Sequence, residues 1–372
     1  MASIRKRTWT SNGVEKSAWA IDYFDQSRVK RRKTFATKKQ AVDWATTALH
    51  EVKQGIHTPA SASVTVAVAG ELWIEQCQAD GLEESTIRQR RQHFKLHVNP
   101  RIGSLRLSEL STPTIHQFDA DLRKDGRSLA MRRKILTSVK TMGSFAQSRG
   151  LVAQNVARSV KIKGDGRTKK GPLREGVDFP SRAELRVLME TATPRWRPLL
   201  VVAMFTGMRA SELRGLPWSD VDLEQGVIHV RQRADAWSTI GPTKSEAGKR
   251  DIPLAPIVVN TLREWKAACP AGELDLVFPN GLGNVESIQN VYKRFWTPVQ
   301  EKCALPGYGF HTLRHSAASL FIAYLGWTPK RVQVVMGHAS ITVTFDLYGH
   351  LFEDKVADRE AMKKIEVAIV AA

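Results

Sequence analysis

Cysteine is scarce, with Cys77, Cys269 and Cys303 the only three in 372 residues and no paired spacing among them. That excludes a disulfide framework and a cysteine zinc site. Long apolar runs are also missing. None reaches the length that spans a bilayer, and the opening MASIRKRTW has no apolar stretch of the signal-peptide kind, so the expected location is the cytoplasm. Acidic residues are in deficit, 37 Asp and Glu against 56 Lys and Arg, for a formal net charge of +19. On an ordinary globular composition, 42% hydrophobic and 25% charged, such a surplus points to a polyanionic partner. Nucleic acid comes first and an anionic membrane surface second. No internal repeat is present, and the length allows two or three domains.

Residues 1–57 read as three short strands and a helix. SAWAIDYF alternates Trp19, Ile21 and Tyr23 on one face, and VKRRKTF is a basic strand ending at Phe35. Thr37 and Gln40 form a capping box for a helix whose Ala41, Trp44, Ala45, Ala48 and Leu49 share a face. The other face of the sheet then carries Arg28, Lys30 and Arg32, either a solvated charge run or a phosphate-contacting surface. Residues 62–162 read as a helical bundle. Thr65 caps a helix carrying Val68, Leu72, Trp73 and Cys77, and a strongly basic helix carries Ile87, Phe94 and Val98. Thr112 and Pro113 start another, and Ser128 opens one that runs through Phe145 and stops near Gly150. Arg88, Arg90, Arg91 and Lys95, with Arg132, Arg133 and Lys134, are dense enough for a surface that grips a DNA backbone. KGDGRTKKGPLREGVD, 163–178, has almost nothing to bury and reads as a linker. A second capping box, Ser181 to Glu184, opens the last region, 179–372, helical with a strand-rich interruption from about 226 to 253. The expected class is mainly α, multidomain (α+β), with small antiparallel sheets.

Four separated pieces of the last region carry chemistry-bearing residues. TGMRASEL places Arg209 at a turn before a short helix, and TKSEAGKRDIPL follows with Lys244. HTLRHS sets His311 and Arg314 three apart, hence on one helical face. GHASITVTFDLYGH ends the series with His338 and Tyr348. Singly each is ordinary; in this order and spacing they resemble the tyrosine recombinase (phage integrase) family, and the resemblance extends over almost the whole chain. It implies an arm-site-binding module at 1–57, a core-binding helical domain at 62–162 and a catalytic domain at 179–372. The family's catalytic arginines, histidines and nucleophile fall on Arg209, Arg314, His311, His338 and Tyr348. Its lysine, on a turn between two strands, best matches Lys244, with Lys249 close by and Ser245 where a threonine is usual. The implied activity is site-specific cutting and rejoining of DNA to integrate or excise a mobile element, with no cofactor. The implied partners are double-stranded DNA at core and arm sites, further copies in a homotetramer, an excisionase and a host DNA-bending protein, with no membrane.

The residue types suit that chemistry. Attack on a phosphodiester builds negative charge on the non-bridging oxygens, and two guanidiniums clamp them with charge-assisted hydrogen bonds. A phenol with a pKa of about 10 needs a cationic pocket and a proton acceptor, for which His311 is the candidate. Lys244 can protonate the departing 5'-oxygen, and His338 can hydrogen-bond the phosphate. The 3'-phosphotyrosyl product keeps the ester's energy, so rejoining needs no ATP. The arginines and lysine supply the positive charge, so no metal is required. The competing readings are a zinc pocket of His311, His315 and His338, a DNA-binding regulator without chemistry, and a type IB topoisomerase-like relaxing enzyme. Against zinc, HTLRH lacks the zincin glutamate and Arg314 would set a fixed cation beside the ion. Ile341, Thr342, Val343 and Thr344 are β-branched, so the Tyr348 segment is either held loosely or forms a short helix packed through Ile341 and Phe345. Beyond it Val356, Met362, Ile365, Ile369 and Val370 form an apolar stripe that must be buried on its own domain or on a neighbour.

Overall fold

The computed structural model describes all residues except 1–2, 12–13, 26–27, 54, 56, 58–62, 165–171, 353–361, 363–365 and 370–372. Most of the expected linker's middle and three residues of the C-terminal stripe, Val356, Ile365 and Val370, therefore lie outside the described residues. The chain divides into two compact units, 1–168 and 169–372.

The first unit opens with an antiparallel sheet in which Val14–Phe24 lies between Ser3–Ser11 and Lys30–Phe35. Strand alternation turns Ile21 and Tyr23, flanked by Ile4, Trp19 and Phe35, onto the helix Lys38–Lys53, which meets them through Ala41 and Ala45. The Thr37–Gln40 box forms reciprocally, both hydrogen bonds at 3.3 Å. Leu49, expected on the packed face, is exposed. On the opposite face Asp22 is buried under two arginines, 2.8 Å from Arg5 and 2.5 Å from Arg32. Arg32 is thus held in an ion pair rather than standing free, while Lys30 and Arg28 are exposed, Arg28 in the turn at φ 58°. The buried His57 clasps this module, 3.0 Å from the Tyr23 hydroxyl and 3.0 Å from Glu51.

The rest of the unit is a bundle of Val66–Ala79, a helical run over 84–102 with a π turn at Phe94–Val98, Thr112–Lys124 and Leu129–Ser148. Thr65 and Ser128 cap as expected, and the third helix starts at Thr112 as expected, capped by Ser111, so Pro113 sits in the first turn where its missing N–H costs nothing. Trp73, Ile87, Phe94, Phe118, Ile135 and Met142 fill the core, whereas Val68 and Leu72 face outward. Of the expected basic surface, Arg88, Arg91 and Lys95 are exposed. Arg132 is a correction. It is buried, and its guanidinium donates from Nε and Nη2 to the Asp119 carboxylate at 2.8 and 2.5 Å, because a charge inside a bundle must be paired. Arg133 spends Nε and Nη2 on the Ile162 carbonyl, at 3.2 and 3.1 Å, which fixes the segment after the bundle.

The second unit is built around Arg197–Thr206, a helix apolar on every side and buried accordingly. Its core also takes in residues of Pro256–Ala268, Thr312–Ala323 and Pro329–Met336. The strand-rich interruption resolves into a three-stranded antiparallel sheet, Val221–Asp222, Val227–Val230 and Arg250–Pro253, and a hairpin of Gln232–Ala234 with Ile240–Pro242. The Ser181–Glu184 box forms at 2.7 and 3.3 Å. Ile341–Tyr348 is a helix capped by Ser340, yet it does not pack through Ile341 and Phe345. Phe345 and Val343 are exposed, and Thr344 and Tyr348 are the buried anchors. No helix among the described residues is long and apolar enough to cross a membrane.

Candidate active site

Two left-handed glycines shape the site. Gly207, φ 62°, ends the buried helix, and Gly337, φ 63°, ends Pro329–Met336. A Cβ on Gly207 would lie 2.9 Å from Met336 Sδ and 3.2 Å from Ala317 Cβ, so the backbone there turns and closes up only without a side chain. The two helix ends present their carbonyls to one place, where the dipoles favour cations. Arg314, in the first turn of Thr312–Ala323 and 4% exposed, donates from Nη1 to the Gly207 carbonyl at 2.7 Å and from Nη2 to that of Met336. Arg209, the residue before Ala210–Arg214, donates from Nη2 to the Gly337 carbonyl at 2.7 Å and from Nη1 to Glu212 Oε1 at 2.6 Å. Burial first, then the Arg209 and Arg250 charges, push Arg314 down to about 9, which leaves it protonated at neutral pH.

Arg250 is the fourth charge of this cluster. It is buried, donates from Nη1 and Nη2 to Glu212 Oε1 and Oε2 at 3.1 and 2.8 Å, from Nε to the Val335 carbonyl at 2.6 Å and from Nη1 to the Gly248 carbonyl at 2.9 Å. One side chain so joins the Arg209 turn, the end of Pro329–Met336 and the loop after Lys244. Burial alone would raise the Glu212 carboxyl, but the hydrogen-bonded Arg250 and then Arg209 outweigh it and hold it at about 2. Motif spacing does not single out Arg250. The strand alternation of Arg250 and Ile252 inward, Asp251 and Pro253 outward, is the signal that could have found it.

The lysine segment leaves the hairpin at Pro242. Lys244 is exposed and, among the described residues, has no hydrogen-bond or ion-pair partner; Lys249 is paired with Glu246 at 3.1 Å. The loop rests on the second glycine, since a Cβ on Gly337 would lie 2.8 Å from the Ala247 carbonyl oxygen. His338 follows at once, buried, with Nδ1 2.9 Å from the Thr344 hydroxyl. Burial, then Arg314, Arg209 and Arg250, hold its imidazole at about 3, so it is neutral. His311 keeps a solvent-open edge but is set into protein mass; that desolvation, then Arg314 and Arg209, keep it below the usual imidazole range.

Tyr348 is 1% exposed and belongs to the core of this unit. Burial raises its phenol well above the ordinary range, with the Arg314 charge acting the other way. Its hydroxyl lies 2.7 Å from His315 Nδ1. The candidate proton acceptor for the phenol was His311; the side chain at the hydroxyl is His315, whose ring meets that of His311 edge-on at 5.4 Å between centroids. Among the described residues no group of three or more His, Cys, Asp or Glu side chains is placed to hold a metal ion. What the arrangement offers is two guanidiniums, a neutral imidazole, an exposed lysine and a phenol beside a second imidazole. The expected DNA-contacting residues Arg28, Lys30, Arg32, Arg88, Arg91, Lys95, Arg132 and Arg133 all belong to the other unit.

Known proteins resemble this chain in sequence and in fold. The Phage integrase family profile matches residues 181–355, and that of the phage integrase N-terminal SAM-like domain matches 70–122. A tyrosine recombinase XerC-like protein of Caldanaerobacter subterraneus subsp. tengcongensis is 22% identical, over 93% of this chain and 95% of its own. Tyrosine recombinase XerC of Yersinia pestis is 30% identical, over 60% of this chain and 68% of its own. Among solved structures, the Tn1549 transposon integrase in complex with a circular intermediate DNA shares the fold, with a TM-score of 0.66 at 18% identity over 82% of this chain and all of that one. On these matches the chain belongs to the phage integrase family of tyrosine recombinases, enzymes that cleave DNA strands and rejoin them.

Proposed function

We propose that this chain is the integrase of a mobile element, and that it cuts DNA by attack of the Tyr348 oxygen on a phosphodiester held by Arg209 and Arg314. The observation that carries the reading is Tyr348, buried with its hydroxyl hydrogen-bonded to His315 and its phenol within the field of Arg314, in the unit where Arg314 donates to the Met336 carbonyl and Arg209 to that of Gly337. Each guanidinium keeps N–H donors beyond those given to carbonyls and Glu212, and these bind the non-bridging oxygens as charge builds. His338 is neutral; with its Nδ1 accepting from Thr344, its Nε2–H donates to the phosphate. His311, with its open edge, is a second phosphate donor. Lys244, free of partners among the described residues, protonates the 5'-oxygen.

The remaining parts of the reading concern DNA and assembly. Residues 1–57 bind an arm site and 62–162 embrace the core site, with Arg28, Lys30, Arg88, Arg91 and Lys95 outward to phosphates. Arg32 contributes from its pair with Asp22, and Arg132 and Arg133 act by holding the bundle rather than by touching DNA. A homotetramer, an excisionase and a host DNA-bending protein complete the recombination complex, and the reaction takes place in the cytoplasm. Support for the mobile-element role comes from the fold shared with a transposon integrase.

The test is Tyr348→Phe on a nicked duplex selected from a random-core pool by SDS-resistant capture on the native chain. The variant should bind that duplex within a few-fold of the native chain and form no covalent adduct, since only the attacking oxygen is gone. An adduct formed by the Phe variant places the nucleophile elsewhere.

A further inference from the structure

We infer that His315 is the catalytic base that takes the proton of the nucleophile, an inference that rests on Tyr348 being that nucleophile. The hydroxyl of Tyr348 is 2.7 Å from His315 Nδ1, and among the described residues it is the hydroxyl's hydrogen-bond partner. With 1% of the side chain exposed, bulk water has no access to the phenol, so its proton must leave to a neighbouring group. The other imidazoles are committed differently. His338 faces Thr344 through Nδ1, and His311 meets His315 ring edge to ring rather than the phenol. Helix geometry explains the division of labour within HTLRHS. Successive residues are about 100° apart around a helix, so Arg314 faces the carbonyl cage of the two helix ends while its neighbour His315 faces the tyrosine.

The proton inventory closes. As the Tyr348 Oη–P bond forms, the Oη proton passes to His315 Nδ1; as the P–O5' bond breaks, the 5'-oxygen takes a proton from Lys244. In rejoining, the 5'-hydroxyl attacks and returns its proton to Lys244, and the departing tyrosine oxygen recovers its own from His315. The negative charge that builds on the phosphate stabilises the imidazolium formed midway.

The experiment uses the full chain and the same capture-selected nicked duplex, in two forms, one with the ordinary 5'-oxygen and one with a bridging 5'-sulfur. A sulfur leaving group departs without a proton, so it replaces the acid but not the base. His315→Gln, whose amide oxygen can still accept the hydroxyl's hydrogen bond but cannot take the proton, should lower the capture rate by about 10²-fold or more on both substrates. Lys244→Ala should be equally slow on oxygen and recover on sulfur. His315→Ala should behave as His315→Gln, with duplex binding and thermal midpoint recorded for both to separate chemistry from folding. Native-like capture by either His315 variant overturns the inference, as does recovery on the sulfur substrate. If the native chain itself forms no adduct on any selected duplex, it is the integrase reading that fails, and the two failures are distinct.

Discussion

The Glu212 carboxylate faces a residue-scale conflict: it sits 2% exposed among Arg209, Arg250 and Arg314, so its charge is costly to bury and costly to lose. The pairing wins, pulling it from the ordinary 4.5 to about 2, which corresponds to on the order of 3 kcal/mol of stability. The sign follows from a folded-state value below the unfolded one. The contribution is fully present above pH 4.5 and is lost as pH falls toward 2. Glu212→Gln should therefore be less stable than the native chain by a few kcal/mol at neutral pH, and the gap should close on acidification through that window. Urea unfolding across pH checks it, and parallel curves for the two chains would remove Glu212 from the stability of the site. Contacts between residues far apart in the chain are the part of the site that spacing could not reveal. Arg209, His311, Arg314, His338 and Tyr348 stand in short motifs, but Arg250 meets Glu212 across 38 residues of chain and His315 meets Tyr348 across 33, contacts set only by the packing of whole helices.

Elements were most legible where the signal is local. The Thr37–Gln40 and Ser181–Glu184 boxes and the Thr65 and Ser128 caps each join residues three apart, and all four form. Faces were less legible because they depend on what an element meets: Val68, Leu72, Leu49 and Phe345 are exposed, and Arg132 is buried. The β-branched run before Tyr348 illustrates the difference. Propensity alone leaves that segment open between a loose strand of residues and a helix, and the choice is made by Thr344 and Tyr348 docking on their unit, with Ser340 capping. Gly337 is the hinge of two elements, the helix that it ends and the lysine loop that rests on it. Gly337→Ala forces a side chain into a left-handed conformation and against the Ala247 carbonyl, at a cost of roughly 1–3 kcal/mol. The expected outcome is a thermal midpoint lowered by several degrees and slower covalent capture of the nicked duplex, with affinity for it little changed. A variant that unfolds and cleaves like the native chain would show that the loop does not depend on this contact.

At the scale of the whole molecule, a net charge of +19 says what the chain seeks, while an apolar remainder bears on how many copies act together. Two of the stripe residues beyond Tyr348 are described, Met362 at 64% and Ile369 at 74% exposed, and neither is covered by its own unit; nearby Val367 is 62% exposed. Phe345 and Val343, on the tyrosine's own helix, are uncovered as well. Exposed apolar residues on both sides of Tyr348 offer a surface that another copy of the chain can cover. In a head-to-tail ring each tail would reach the next subunit, and cleavage in one active site would then be tied to the seating of a neighbour's tail. Removing the residues after 356 should accordingly leave single-site DNA binding and thermal stability near native values while abolishing four-subunit synapsis and recombination. Gel mobility at single and paired sites, with sedimentation to count subunits, separates these steps. If the shortened chain still assembles synapses and recombines at the native rate, the tail plays no part in assembly. If it loses stability in isolation, the tail belongs to its own core.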